Sequence, residues 1–260
     1  LRYFADRSGR KVGNDVLNGR SYDQFVMADA QVSHRFSPSY KVDLSERFSD
    51  SQDPAQALRG AGQSGQGQVL RAEGNNINNV ASVDFSAQLS SLWSAVLGYR
   101  NSYFSYQAVN FAGLNRLENL PSLGLRYQLT PTTVVSGNYQ FGDIGYSASR
   151  FNYRDSQSHY AFVGVDHQLT SRASVGLRGG LQAIEWMNSR KSNPNNRGDA
   201  VNPYVDASFS YGYATSSTVQ LGVRHGRNST DVAAFLDQES TSGYATVNHQ
   251  ITGALRGILS

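Results

Sequence analysis

The sequence predicts an all-β fold: an antiparallel up-and-down barrel built from successive hairpins. Three observations predict it. A short turn motif recurs at intervals of about 40 residues. Between turns, apolar and polar residues alternate with period two, as a strand requires. Connections are short at one end of each hairpin and long at the other.

The motif reads x-(His/Tyr)-Gln-(Leu/Ile)-(Ser/Thr). It occurs as Arg126-Tyr127-Gln128-Leu129-Thr130, Asp166-His167-Gln168-Leu169-Thr170 and Asn248-His249-Gln250-Ile251-Thr252. Looser copies run Ser33-His34-Arg35-Phe36-Ser37, Ser86-Ala87-Gln88-Leu89-Ser90 and Tyr211-Gly212-Tyr213-Ala214-Thr215. Pro38 and Pro131 follow two of the copies, as a tight turn favours.

In chain order, 1–7 and 21–36 are the first expected strands, and alternation is irregular in 22–36, where a bulge or a strand end is expected. A turn at Pro38 leads into 40–49. Strands 78–90 and 93–106 share the turn after Ser90. In 120–130, Leu123, Leu125, Tyr127 and Leu129 oppose Ser122, Gly124, Arg126 and Gln128. Strands 132–147 and 158–170 follow. In 173–187, Val175, Leu177 and Leu181 oppose Gly176, Arg178 and Gly180, and the pattern breaks near Ile184 and Trp186, where a bulge or a strand end is expected. In 202–214, Val205, Ala207, Phe209 and Tyr211 oppose Asp206, Ser208, Ser210 and Gly212. In 217–228, Val219, Leu221 and Val223 oppose Thr218, Gln220, Gly222 and Arg224. Strands 242–252 and 254–260 complete the set. The long loops are 8–20, 50–77, 107–119, 148–157, 188–201 and 229–241. No composition break divides the chain, so 1–260 reads as one domain.

Composition narrows the class. With no Cys among 260 residues, disulfide scaffolds and thiolate metal sites are excluded. A net charge of +3 is too small to argue for nucleic acid. Aromatics at 11% and charge at 17% exclude a disordered solvating chain. No apolar run is long enough for a transmembrane helix.

A soluble sandwich also alternates, but covers itself with Lys and Glu. Here the polar parity carries Gly, Ser, Thr, Gln and Asn with isolated Arg and Asp. The strands run longer than the usual five or six residues and match the roughly 9–11 that cross a bilayer at a tilt. Hydrocarbon cannot satisfy backbone N–H and C=O, so a spanning sheet closes on itself and its inner face is polar. The expected architecture is therefore a transmembrane barrel with short periplasmic turns and long extracellular loops, in a bacterial outer membrane.

The repeated His/Tyr-Gln-Leu/Ile-Ser/Thr turns, the Tyr-rich alternating strands and the Gly/Asn-rich loops resemble the β-barrel porin families of Gram-negative bacteria, in style the "beta-barrel porin 2" type. The resemblance covers about residues 20–260, and its motifs describe hairpin grammar rather than a site. It implies an outer-membrane pore; some relatives of that type are associated with exopolysaccharide secretion. The chain departs from a complete member of that type at both ends. Leu1-Arg2-Tyr3-Phe4 and Ile258-Leu259-Ser260 read as strand interiors, so about 13 visible strands are expected to be part of a barrel of 14–18, an even total being the rule.

On this parity Arg35, Arg47, Arg100, Arg126, Arg178, Arg224 and Arg256 face the lumen, with Asp29, Asp43, Asp84, Asp166 and Asp206. Two readings stand: a transverse field that orders polar or anionic solutes, or Arg–Asp pairs that satisfy one another. His34, Tyr127, His167, Tyr211 and His249 fall on the apolar parity beside short turns and are expected in an interfacial girdle, with Tyr213. Tyr99, Tyr103, Tyr139, Phe141 and Tyr244 are assigned to the girdle at the loop end.

Gly60-Ala61-Gly62-Gln63-Ser64-Gly65 lacks the strand and helix of a dinucleotide site and reads as loop. Its loop, 50–77, is either a constriction folded into the pore or exposed surface. Arg197-Gly198-Asp199 and Asn228-Ser229-Thr230 read as ordinary loop chemistry. No nucleophile elbow or metal-ligand spacing occurs. His159, His225 and Asp231 are near the loop end, with nothing tying them to a Ser. No enzyme, cofactor or metal is expected. The expected function is passive diffusion of small hydrophilic solutes, among outer-membrane lipid and lipopolysaccharide. The alternatives are the barrel of an exopolysaccharide secretion machine, with periplasmic export components as partners, and a plugged barrel serving as a structural anchor.

Overall fold

The computed structural model describes residues 2–6, 23–51, 76–107, 112–187, 200–229, 237–252 and 255–259. Their strands are β1 (Arg2–Asp6), β2 (Asp23–Ser37), β3 (Tyr40–Ser51), β4 (Asn76–Gln88), β5 (Trp93–Tyr106), β6 (Arg116–Thr130), β7 (Thr133–Tyr146), β8 (Ser156–Gln168), β9 (Ala173–Trp186), β10 (Ala200–Ala214), β11 (Ser217–Ser229), β12 (Asp237–Gln250) and β13 (Arg256–Leu259). They form one 13-stranded sheet in sequence order, each strand antiparallel to the next. Among the described residues β1 and β13 are its two edges.

The recurring motif is turn chemistry. The Gln128 amide donates to the Thr130 carbonyl at 2.6 Å, Gln88 to the Ser90 carbonyl at 2.5 Å, and Gln250 to the Thr252 carbonyl. The motif hydroxyl accepts from the chain beyond it. Thr170 Oγ1 takes the N–H groups of Arg172 and Ala173, and Ser90 Oγ those of Leu92 and Trp93. The motif backbone also stitches neighbouring hairpins. Gln88, Gln128 and Gln168 donate their N–H groups to Ser39, Leu92 and Thr132 carbonyls at 2.7–2.8 Å. Turn polar groups are thus satisfied locally, which explains why the same residues recur at each short turn.

The expected irregularity in 21–36 is a register shift between Arg35 and Ser37; matching shifts occur between Gln128 and Thr130 and between Gly212 and Ala214. At Ile184 and Trp186, by contrast, pairing continues unbroken to Ser158 and Ser156. These two residues interrupt the pattern because they are apolar on the polar parity, not because the strand bulges.

Two boundaries differ from expectation by four residues or more. β6 begins at Arg116, inside the expected loop 107–119, because Arg116 and Glu118 keep the polar parity around Leu117. β12 begins at Asp237, inside 229–241, where Asp-Gln-Glu-Ser-Thr-Ser shows no apolar period and only pairing to β11 (Ser229 with Asp237) makes it strand.

The faces are sharply divided. Val32, Leu97, Leu125, Val163, Leu177 and Leu221 are exposed on one. The other carries the Arg and Asp residues and is concave: a single cavity draws its lining from strands β5 through β12, and Tyr160 on β8 reaches the Arg227 carbonyl on β11 at 3.5 Å.

Candidate functional site

The polar face carries a charged ladder across β6, β8, β9, β10 and β11. The period-two alternation puts every member on the same face, and the antiparallel register sets Arg178 opposite Asp206 and Asp206 opposite Arg224. Arg126 Nη2 lies 3.9 Å from Asp166 Oδ2, and Arg178 Nη2 is 3.1 Å from Asp166 Oδ1. Arg178 Nη1 reaches Asp206 Oδ1 at 3.3 Å, and Arg224 Nε donates to Asp206 Oδ2 at 2.7 Å. Asp206 is only 2% exposed and is shared by two guanidiniums. Glycines make room: a Cβ at Gly176 would crowd Asp166 Oδ1 and Ser208 Oγ, and one at Gly164 would crowd Ser136 Oγ and the Arg178 stem. A second pair, Arg47 Nε to Asp29 Oδ1 at 2.5 Å, joins β3 to β2.

The remaining charged residues stand apart from these pairs. Asp43 pairs with Lys41 at 2.8 Å. Asp84 faces Gly98, where its Oδ1 and Ser122 Oγ occupy the space a Cβ would need. Arg100 Nε is buried with no hydrogen-bond partner among the described residues. The Arg256 side chain, loop 50–77 beyond Ser51 and before Asn76, Arg197-Gly198-Asp199 and Asp231 lie outside the described residues.

At the long-loop end, the polar face turns apolar. Phe104, Tyr106, Ile144, Tyr146, Ile184 and Trp186 share the polar parity of β5, β7 and β9, and two segments fold over part of this patch to form a shelf. The one-turn 3-10 helix Ala112–Leu114 buries Leu114 against Tyr106 and Tyr146, and the 3-10 helix Ser149–Arg154 packs Phe151 on the same cluster. Arg116 is fully buried, with Nε on Glu118 Oε1 at 2.7 Å and its guanidinium 4.0 Å from the Phe104 ring centroid. Arg154 lies 5.5 Å from the Tyr146 ring centroid. Backbone bonds pin the segments: Tyr106 N–H donates to Asn115 Oδ1 and Tyr146 N–H to Asp155 Oδ1, both at 2.7 Å, and Met187 N–H to the Asp155 carbonyl at 2.9 Å. The sequence reading missed this shelf. Apolar residues breaking parity at one height on several strands were the signal for it.

Below the shelf is a cavity of about 380 Å³, lined in part by Arg100, Gln182, Tyr160, Phe162, Tyr204 and Arg224. Phe162 and Tyr204 both pair with Gly180, and Tyr244 covers Gly222. Tyr244 therefore sits on the polar face, which corrects its assignment to the loop-end girdle. Its even parity on β12, opposite to Ala245 and Val247, places it there.

The apolar face carries aromatics near both strand ends. Beside the short turns, His34 packs on Phe36, Trp93 on Tyr127, and Tyr213 bonds His249 Nδ1 at 2.8 Å. His167 Nδ1 is 2.9 Å from Thr133 Oγ1, and Tyr211 is exposed. Toward the loop end, Tyr99 donates to Asn119 Oδ1 at 2.7 Å and Tyr139 bonds His159 Nδ1 at 2.7 Å, with Phe141 against the same imidazole. His159 and His225 are therefore both on the apolar face, in separate clusters; His225 contacts Thr241 and Glu239. Among the described residues no group of three His, Cys, Asp or Glu is placed to hold a metal.

The fold and site define an antiparallel meander with one apolar face and one concave, ion-paired face. No family model and no curated protein sequence matches the chain. Solved structures similar to it include the toluene transporter TbuX of Ralstonia pickettii, at 12% identity and a TM-score of 0.43, covering 94% of this chain and 75% of that one. The ferric enterobactin receptor PfeA of Pseudomonas aeruginosa is similar at 10% identity and a TM-score of 0.43; 91% of this chain matches 40% of the receptor's length. OmpT, an outer membrane protein of Vibrio cholerae, is similar at 8% identity and a TM-score of 0.40, over 85% of each chain. Likeness at this level carries no inference about solute or mechanism.

Proposed function

We propose that the sheet is the wall of a β-barrel in a bacterial outer membrane and that its polar face lines a pore for small hydrophilic solutes. The observation that carries this reading is the division of the faces. Large aliphatic side chains are exposed between two aromatic belts on one side, while an ion-paired ladder occupies the other. An apolar surface of that extent is unfavourable in water and matches hydrocarbon. The dimensions agree. Trp93 and Tyr103 are about ten residues apart on β5, roughly 33 Å at ~3.3 Å per residue, and a tilt of about 45° reduces this to roughly 23 Å of height. Outer-membrane barrels carry an apolar band of about 25 Å. Closure pairs β1 and β13 with each other or with further strands, as a bilayer requires.

The shelf favours a second reading, a barrel closed by its own loops. Single-channel recording of the purified full-length protein in a planar bilayer separates the two. Stable conductance steps are expected for the pore. A folded, heat-modifiable barrel that gives no steps at any voltage would overturn the pore and leave the closed barrel.

A further inference from the structure

Several groups on the concave face are unused by the ladder, and they converge on one cavity. Arg100 Nε is a buried donor without an acceptor, and Gln182 Oε1 a buried acceptor without a donor, among the described residues. Both line the cavity of about 380 Å³, together with Arg224. The carboxylates beside them are already engaged: Glu118 with Arg116 at 2.7 Å, and Asp206 with Arg178 at 3.3 Å and Arg224 at 2.7 Å. The cavity therefore presents a cationic surplus. A buried guanidinium N–H with no acceptor carries a desolvation cost that an arriving oxyanion removes.

The same cavity holds flat apolar surface. The rings of Tyr160 and Tyr204 meet edge to face at 5.7 Å, and Phe162 stands 5.4 Å from Tyr204. Phe162 and Tyr204 are accounted for by Gly180, which both face across the ladder. Tyr160 faces Gln182, and only its hydroxyl end comes near a glycine, 3.7 Å from where a Cβ at Gly226 would stand. Its ring and that of Tyr204 are surfaces against which the carbon body of a solute can pack.

We propose that this cavity is a binding station for small organic anions. A carboxylate or phosphate head sits on Arg100 and Arg224, the carbon body lies against Tyr160 and Tyr204, and the Gln182 carbonyl oxygen accepts from a hydroxyl or N–H of the solute. The inference rests on the proposed pore, because solute must reach the polar face.

The test is calorimetric titration of the full-length protein, folded in detergent, with benzoate, inorganic phosphate and benzyl alcohol. Benzoate is expected to bind most tightly, phosphate more weakly, and benzyl alcohol not detectably. Arg100→Gln should weaken benzoate by about tenfold or more, the effect of one lost charge-assisted hydrogen bond. Arg35→Gln, on the polar face of β2 and outside the cavity, should leave it unchanged. Tyr160→Leu should weaken benzoate and leave phosphate unchanged. Equal benzoate affinity in the wild type and in a folded Arg100→Gln protein would overturn the station, as would no benzoate binding to the folded wild type. Phosphate binding as tightly as benzoate would overturn the role of the rings. Binding is read without current, so the two proposals fail separately. A barrel that binds benzoate but never conducts loses the pore alone, and a conducting barrel whose binding ignores Arg100 loses the station alone.

Discussion

Placing an arginine on the apolar face tests the assignment of faces most directly, and Val223→Arg is the sharpest version. Val223 lies between Ala207 on β10 and Gly243 on β12, and its side of the sheet is exposed. The short-turn belt passes through Tyr211, which faces Val219. Val223 is roughly four residues further, about 13 Å along the strand and about 9 Å in height at a 45° tilt. With roughly 23 Å between belts, it sits within a few ångströms of the midplane. A guanidinium there costs about 2–4 kcal/mol, roughly a 30- to 900-fold loss in the folding equilibrium. Leu221→Arg lies only about 5 Å above the belt and can extend its head to the interface, so about 1–2 kcal/mol is expected. Gln220→Arg, between Ser210 and Thr246 on the polar face, should change stability by about 0.5 kcal/mol or less. The assay is equilibrium unfolding by urea from phospholipid vesicles, followed by the emission of Trp93 and Trp186, the two tryptophans of the chain. Equal penalties at the three positions, or a largest penalty at Gln220, would refute the assignment of faces and the bilayer with it.

Asp206→Ala leaves Arg178 and Arg224 without the carboxylate they share. The expected loss is about 2–4 kcal/mol, below the roughly 3–5 of a dry interior because both guanidiniums reach water; a urea midpoint unchanged from wild type would contradict the ladder. Gln128→Ala removes the side-chain bond to the Thr130 carbonyl and should cost about 0.5–1.5 kcal/mol in the same unfolding experiment, with ion selectivity unaltered. Arg154→Ala with Tyr146→Ala loosens the shelf and should raise unit conductance; an identical step size in the double variant would show that the shelf does not narrow the path.

Much of the fold could be read directly because a strand writes its exposure into every second residue. Leu221 and Arg224 declare opposite faces before any pairing is known, and the short turns declare themselves because Gln128 and Thr130 are needed wherever a turn must satisfy its own carbonyl and N–H groups. The pairs Arg178–Asp206 and Arg224–Asp206 follow once the register is known. Arg126 meeting Asp166 does not, since β7 lies between them and the contact depends on how far two side chains reach over it. The shelf was hidden for another reason. Gly113 and Leu114, or Phe151 and Tyr153, look like ordinary loop residues, and their burial comes from a surface assembled by three other strands. The evidence for that surface lay in the strands: Tyr106, Tyr146 and Trp186 all break parity at the same end.

The ladder distances also bear on the two readings of the charges on the concave face. A transverse field needs guanidiniums and carboxylates held apart. Here Arg178 and Arg224 each hold a carboxylate within 3.3 Å, so their fields largely cancel at the distance of a passing solute. Mutual satisfaction therefore accounts for the middle of the ladder. Its end behaves differently. Arg126 is the more exposed partner of its pair and the most loosely held, 3.9 Å from Asp166, and Arg100 stands outside the ladder altogether. Among the described ladder and cavity residues, positive charge is left over at Arg126 and Arg100 after the carboxylates are shared out; Arg224 adds a hydrogen-bond donor beside Arg100 but little net charge.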